Sequence, residues 1–381
     1  MKILFLMEFI MKKSKIFKLN VFLILFITLL SSCSKSSKKD SNFLEEKIIT
    51  YIDSIFALNN YNTPAMIVKM KDSNKKIDLL YSKGYSNLET QTLFNQNQIF
   101  AIGSNTKTFT VMTFLELIQE EKLDPETYLS DYFPDIEQAN AIKLKYLANM
   151  TSGIPNYTDN ELFWMEYLLA NFGNILDFSQ ILDYISHENH LFTPGSQFTY
   201  SNSNTRILSE IIEQVTGNTI KQEIENRFIT KLGLNNTHYP QSVGMPTNNF
   251  VHGYDDLDDD GVPEDLSGVY HPSIFGSAGC MFSTINDMEK WVKYLANGCN
   301  LSAEMMYFRQ EGTYNESDFL KYKMGFVEVN GWIGHTGGVL GYSTLMMHNP
   351  ELNNTIILIQ NSLVEAYPNW QFFQEIINLI Y

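Results

Sequence analysis

From residue 44 to 56, apolar side chains recur at Leu44, Ile48, Tyr51, Ile52, Ile55 and Phe56, a spacing that places them on one face of a helix. Short runs rich in β-branched and aromatic residues follow at 65–70, 77–81 and 98–102, with Gly, Asn and Ser between them, and these predict strands. The other end of the chain repeats the pattern: strand-like runs at 324–329, 343–348 and 355–360, then an amphipathic helical stretch over 369–380. The middle differs. Its period is helical over 105–120, 204–215 and 220–229, with Gly217 placed as a helix stop. The expected fold class is therefore α/β (α+β). Both chain ends build one antiparallel sheet with flanking helices, and a mostly helical lobe, roughly 105–275, is inserted between them. A cleft between the two parts is the expected site.

The first 33 residues stand apart. Lys12, Lys13, Lys15 and Lys18 precede an apolar run over 21–30 that ends at Ser31-Ser32-Cys33. That run suits the apolar core of an export signal and is too short to span a bilayer as a helix. The ending Leu30-Ser31-Ser32-Cys33 resembles a bacterial lipobox, which implies lipidation at Cys33 and an exported, membrane-anchored protein of the cell envelope; a plain signal peptide is the alternative. Met11 opens a better charged leader than Met1. The expected organisation is a signal over 1–33, a polar tether over 34–44 and one domain over 45–381.

The chain of 381 residues carries 27 Lys+Arg against 43 Asp+Glu, a net charge of −16. Without the leader the balance is about −20. An acidic chain with no basic stripe offers nothing to a phosphate backbone, so no nucleic-acid partner is expected. The 44% hydrophobic content excludes a disordered chain. Beyond Cys33 only Cys280 and Cys299 remain. In an oxidising compartment they are either a disulfide or two free thiols, and spacing does not decide between these.

Candidate chemistry begins with Ser-x-x-Lys, which on a helix puts a hydroxyl and an amine on one face. It occurs four times, at Ser32, Ser36, Ser73 and Ser104. The first three fall in the leader, the tether and a polar turn. Only Ser104-Asn105-Thr106-Lys107 follows a strand and opens a long apolar helix, where backbone N–H groups favour developing negative charge. Taken alone, Ser104 reads equally as a helix N-cap. Tyr-x-Asn occurs three times, and Tyr200-Ser201-Asn202 lies just before a helix. Gly334-His335-Thr336-Gly337-Gly338 lies between strands, where glycines permit close backbone approach, or simply make a hairpin turn.

In the order Ser104-x-x-Lys107, Tyr200-x-Asn202, His335-Thr336-Gly337, these motifs resemble the penicillin-recognising serine hydrolases. The Tyr form of the second motif is similar to the branch holding class C β-lactamases, D-alanyl-D-alanine carboxypeptidases, esterases and aminopeptidases. Further blocks agree, among them Tyr146 through Pro155, Gly276-Ser277-Ala278-Gly279 and His335 through Pro350. The resemblance covers about 45–381. It implies that Ser104 attacks an acyl carbon, Lys107 eases loss of its proton, and Tyr200 acts as general base and then as acid toward the leaving group. It further implies that Asn202 holds a substrate amide, that the N–H groups of Ser104 and Gly338 form an oxyanion hole, and that His335, Thr336 and Gly337 belong to the same substrate-binding set.

His335 replaces the Lys that most β-lactamases carry there. An imidazole is only fractionally charged at neutral pH, so grip on a substrate carboxylate should weaken. The expected activity is hydrolysis of an amide or ester through an acyl-enzyme, D-alanyl-D-alanine carboxypeptidase-like or esterase-like. A β-lactamase is the alternative, and a non-catalytic sensor module a rival of another class. Loops near 156–164 and 254–270 are expected to shape the pocket. The acidic run 255–260 begins like a calcium loop but has Ser267 where a Glu is needed, so a solvated loop is expected. His187 and His190 are one residue short of the spacing in a zinc-protease helix, and no Gly-x-Ser-x-Gly elbow occurs. No cofactor is called for. The expected partners are a small-molecule or peptide substrate and, through Cys33, the membrane; the chain is expected to be a monomer.

Overall fold

The computed structural model describes residues 38–57, 63–169, 172–257, 260–298, 300–311, 314–315, 320–363 and 366–381. Its frame is an antiparallel sheet of eight strands in the order β2-β1-β12-β11-β10-β9-β8-β7. The N-terminal contribution is β1 (Ala65–Asp72) and β2 (Ile77–Gly84). The C-terminal one is β7 (Tyr314–Asn315), β8 (Lys321–Tyr322), β9 (Val327–Val329), β10 (Trp332–Val339), β11 (Tyr342–Asn349) and β12 (Asn354–Gln360). The two ends meet where β1 pairs with β12, Met66 opposite Gln360 and Asp72 opposite Asn354.

One face of the sheet is covered by α1 (Lys38–Ala57) and the C-terminal helix α11 (Ala366–Ile380). Ile48, Ile52, Phe373 and Ile376 are buried there against Met66, Val68 and Leu358. Alternate residues of the same strands, Ile67, Ile357 and Ile359, point to the opposite face and join a larger core. Helix α1 begins seven residues before the expected domain start, so residues 38–44 are helical and do not belong to a tether. The amphipathic face that opens at Leu44 continues a helix that Lys and Asp, both tolerated in a first turn, extend backwards. The leader, with Cys33, lies outside the described residues, as does Cys299.

The inserted part contains α2 (Thr106–Gln119), α3 (Leu144–Ala148), α4 (Glu161–Leu169), α5 (Phe178–Ser186), α6 (Asn202–Thr216), α7 (Ile220–Ile224) and α8 (Thr230–Leu232). Helix α2 is buried on nearly every side from Thr106 to Leu117, as befits the central helix between sheet and lobe. Phe109 stacks on Trp291 of α9 (Ile285–Asn297) with ring centroids 3.7 Å apart, and the indole N–H donates to Thr108 Oγ1 at 2.8 Å. The last helix before β7 is α10 (Ala303–Phe308).

Two expectations are corrected. The strand over 98–102 shrinks to β3 (Phe100–Ala101), which pairs with β6 (Phe282–Ser283) outside the large sheet, because the chain turns at Gly103 with φ of +51°. The lobe is helical only to Leu232. Beyond it the chain runs as loops and short 3₁₀ turns with one small hairpin, β4 (Tyr254–Asp255) and β5 (Glu264–Asp265). The Gly, Pro and Asn content of 233–263 breaks the helical period there.

Candidate active site

The turn that carries Ser104 is a 3₁₀ turn, Gly103–Asn105, between β3 and α2. Asn105, not Ser104, caps α2, which removes the reading of Ser104 as a structural cap. Asn105 Nδ2 donates to Ile102 O at 3.0 Å and to Thr344 Oγ1 of β11 at 2.8 Å, and the Thr344 hydroxyl donates to Ile102 O at 3.1 Å. The turn is thus fastened to the sheet. Glycine at 337 makes this approach possible: a Cβ there would lie 2.0 Å from Ile102 O. A Cβ on Gly103 would lie 2.8 Å from the amide nitrogen of Gly338, so the backbone of the third motif runs directly beside the serine turn. Gly338 is exposed, Thr336 half-buried.

Lys107 is fully buried one helical turn beyond Ser104. Its Nζ lies 2.9 Å from Ser104 Oγ, 2.6 Å from Asn202 Oδ1 and 2.7 Å from Ala278 O. The last two are carbonyl oxygens and only accept. A neutral amine has two N–H bonds and one lone pair. With both N–H bonds directed at the two carbonyls, the lone pair faces the Ser104 hydroxyl. Burial pushes the ammonium pKa well below its ordinary value. No carboxylate is among its partners, so nothing offsets the loss of hydration. The arrangement can take a proton from Ser104.

Tyr200 reaches the same point from the end of an extended segment. Thr199 N donates to Met150 O and Gly195 N to Thr151 O, which lays the segment along the loop after α3. The Tyr200 ring lies over Lys107, with Nζ 4.8 Å from its centroid. Asn202 begins α6 and is held by the 156–158 loop: its backbone N–H donates to Asn156 Oδ1 at 2.9 Å, its Nδ2 to Thr158 Oγ1 at 3.0 Å. Its carbonyl orients Lys107. One of its two amide N–H bonds is used by Thr158, and the other is available for a substrate carbonyl.

His335 is 2% exposed and sits beside Tyr200, ring centroids 6.1 Å apart. Its Nδ1 lies 2.5 Å from Thr336 O and its Nε2 3.4 Å from Tyr322 Oη. Burial pushes its pKa down to about 3, against the backbone hydrogen bond to Thr336. The imidazole is therefore neutral throughout the physiological range rather than fractionally charged.

The structure thus brings Ser104, Lys107, Tyr200, Asn202, His335, Thr336, Gly337 and Gly338 into one seam between sheet and lobe. Three contributors escaped the sequence reading. The Ala278 carbonyl had a signal, the Gly276–Gly279 block. Thr158 lies in the 156–164 loop expected to shape the pocket, without being singled out there; Tyr322 had no signal. The acidic run is not all solvated: Asp255 is buried and accepts from the backbone N–H groups of Gly341 and Leu363 at 2.8 Å each, pinning the β10–β11 turn. Asp256 accepts from the backbone of Asp260 and Gly261, and residues 258–259 lie outside the described residues. Cys280 is a free, buried thiol, pushed up to about 12 by burial. A separate cavity of about 720 Å³, lined by Phe133, Pro134, Leu182 and Glu188, does not include Ser104.

The family model described as Beta-lactamase matches residues 58–369. The chain belongs to the β-lactamase family. Protein flp of Staphylococcus aureus strain COL is 25% identical over 318 residues, covering 77% of this chain and 59% of that protein. The chain therefore spans little more than half the length of that relative. Penicillin-binding protein 4* of Bacillus subtilis strain 168 is also 25% identical, over 74% of this chain and 66% of its own. Among solved structures, D-amino acid amidase from Ochrobactrum anthropi SV3 matches 90% of this chain and 98% of its own with a TM-score of 0.75 at 20% identity, a likeness of fold.

Proposed function

We propose that this chain is a serine hydrolase that acts on an amide or ester through an acyl-enzyme on Ser104. The observation that carries the reading is the dehydrated Lys107 amine, 2.9 Å from the Ser104 hydroxyl and anchored by two carbonyls. Lys107 takes the hydroxyl proton as Ser104 Oγ attacks the acyl carbon. The amide groups of Ser104 and Gly338 receive the oxyanion, at about 3–4 kcal/mol per donor. Tyr200 passes the proton to the departing amine or alcohol, then helps water release the acyl group. Asn202 orients Lys107 and offers its remaining N–H to the substrate. The printed names of the relatives, a penicillin-binding protein and a D-amino acid amidase, are in keeping with an acyl group of D configuration. A D-alanyl peptide or an ester is the leading substrate, a β-lactam the alternative.

The test mixes the protein with a fluorescent penicillin and with D-alanyl and nitrophenyl ester substrates. Stable label identifies a penicillin-binding peptidase type, rapid loss of label a lactamase, and ester turnover without label an esterase. Labelling that survives Ser104→Ala sinks the assignment, and no reaction with any substrate leaves a sensor module. We further propose that Cys33 carries a lipid anchor that holds the domain in the cell envelope. Palmitate incorporation that is lost in Cys33→Ser would support this; incorporation that persists would refute it.

A further inference from the structure

We propose that the leaving-group side of this site is built for an uncharged group, so that its substrates are amides and esters with no carboxylate next to the scissile bond. The inference rests on the acyl-enzyme reading above and narrows its substrate class. In that reading Tyr200 protonates the departing atom, so whatever packs on Tyr200 borders the leaving group. Besides the Lys107 amine over its ring, two side chains do: Tyr322, edge-on at 6.0 Å with Phe198 packed behind it, and His335 at 6.1 Å.

None of them can meet a carboxylate as a cation. A carbonyl only accepts, so the 2.5 Å contact to Thr336 O puts the imidazole proton on Nδ1 and spends it there. Nε2 is then a lone pair, and the hydroxyl facing it, Tyr322 Oη at 3.4 Å, is its donor. The imidazole consequently turns no N–H outward. Tyr322 is buried between the rings of Phe198, Tyr200 and His335. The next residue, Lys323, is 10% exposed at its side chain and is committed to Glu328 at 3.1 Å. Among the described residues Lys107 is the other basic side chain in contact with these groups, and its N–H bonds go to Asn202 and Ala278. A carboxylate brought against this wall would lose water and gain no ion pair; a carboxamide or ester alkyl group loses little.

The chemistry balances without a further reactant. Ser104 Oγ bonds the acyl carbon and its proton passes by way of Lys107 and Tyr200 to the leaving nitrogen or oxygen. The carbon–nitrogen or carbon–oxygen bond breaks and a neutral amine or alcohol departs. Water then replaces Ser104, releasing a carboxylic acid.

The experiment compares acetyl-D-alanyl-D-alanine with its carboxamide and its methyl ester at the same scissile bond, using the full chain. The expected result is a kcat/KM at least about tenfold higher for the neutral substrates. Tyr322→Arg should narrow that ratio by raising turnover of the free acid, whereas Tyr322→Phe should keep the preference. Equal or faster hydrolysis of the free acid by the wild-type chain, while Ser104 still forms an acyl-enzyme, overturns the inference and leaves the acyl-enzyme reading intact. Absence of any Ser104-dependent acylation, seen by intact-protein mass, overturns both.

Discussion

Two buried basic side chains lie at opposite ends of α2, and they are treated in opposite ways. Near the C-terminal end, Arg227, on a π-helical turn over Glu225–Ile229, is ringed by Glu116 at 3.0 Å, Glu120 at 2.5 Å and Glu223 at 2.7 Å. Burial opposes its charge, but the hydrogen bonds to the three carboxylates hold its pKa above the usual value, while Arg227 pulls Glu120 down to about 2. Near the N-terminal end, Lys107 has only a hydroxyl and two carbonyls. The first arrangement fixes a charge and locks α2 to the lobe. The second disfavours the charged form of an amine and turns its lone pair to a hydroxyl. Burial alone does not make a reactive group; burial without a counter-ion does.

Exchanging the two basic side chains for apolar residues separates these roles most sharply. Lys107→Met should lower kcat by about 10²–10⁴-fold. Its effect on unfolding free energy should stay within about 2 kcal/mol, because losing two hydrogen bonds is offset by relief of amine burial. Arg227→Met should do the reverse. It leaves carboxylates buried without their partner, costing about 3–5 kcal/mol in urea unfolding, with turnover per folded molecule unchanged. If both variants fall equally in activity and stability, the contrast is wrong.

A smaller effect is expected from Gly337→Ala. Its Cβ would meet Ile102 O at 2.0 Å and push β10 from the serine turn, lowering acylation at least about tenfold while secondary structure by circular dichroism is kept. The smallest effect is a difference in acid response. His335, depressed to about 3, stays neutral in the folded chain while the unfolded chain takes up a proton below about 6.5. Stability therefore declines as pH falls from there toward 3, by about 2 kcal/mol at pH 5 from this group. The Glu120 pair behaves differently: its contribution is present above the ordinary carboxylate pKa and is lost only as pH falls toward 2. His335→Gln should flatten unfolding free energy between pH 6.5 and 5, after allowance for His348, which burial lowers to about 4 in the same sense.

Much of the frame was legible because periodicity reports burial on one face. Strands β1, β2, β11 and β12 emerge from short runs rich in β-branched and aromatic residues, and helices α1 and α11 from the i, i+4 spacing of the one face each turns to the core. The stretch 233–281 was not legible. Its order comes from contacts distant in sequence, such as Asp255 accepting from Gly341 and Leu363, and Tyr342 Oη donating to Val251 O. The short β3 misled for a similar reason, as the run over 98–102 ends at the Gly103 turn, whose backbone lies against Gly337 and Gly338 of β10.

The sequence by itself determined the family motifs, their order and the two-ended construction of the sheet, because these depend on residue type and local period. It could name Ser104, Lys107, Tyr200 and His335 as a set. Only the tertiary structure decided their chemical states. Lys107 is pushed toward its uncharged form because Asn202, 95 residues away, and the Ala278 carbonyl, 171 residues away, hold it where burial strips its water. His335 is neutral because the fold buries it, and this outweighs the hydrogen bond to the Thr336 carbonyl that favours its charged form. Protonation is set by desolvation and by the nearest partner, and both are properties of the folded chain rather than of any residue in it.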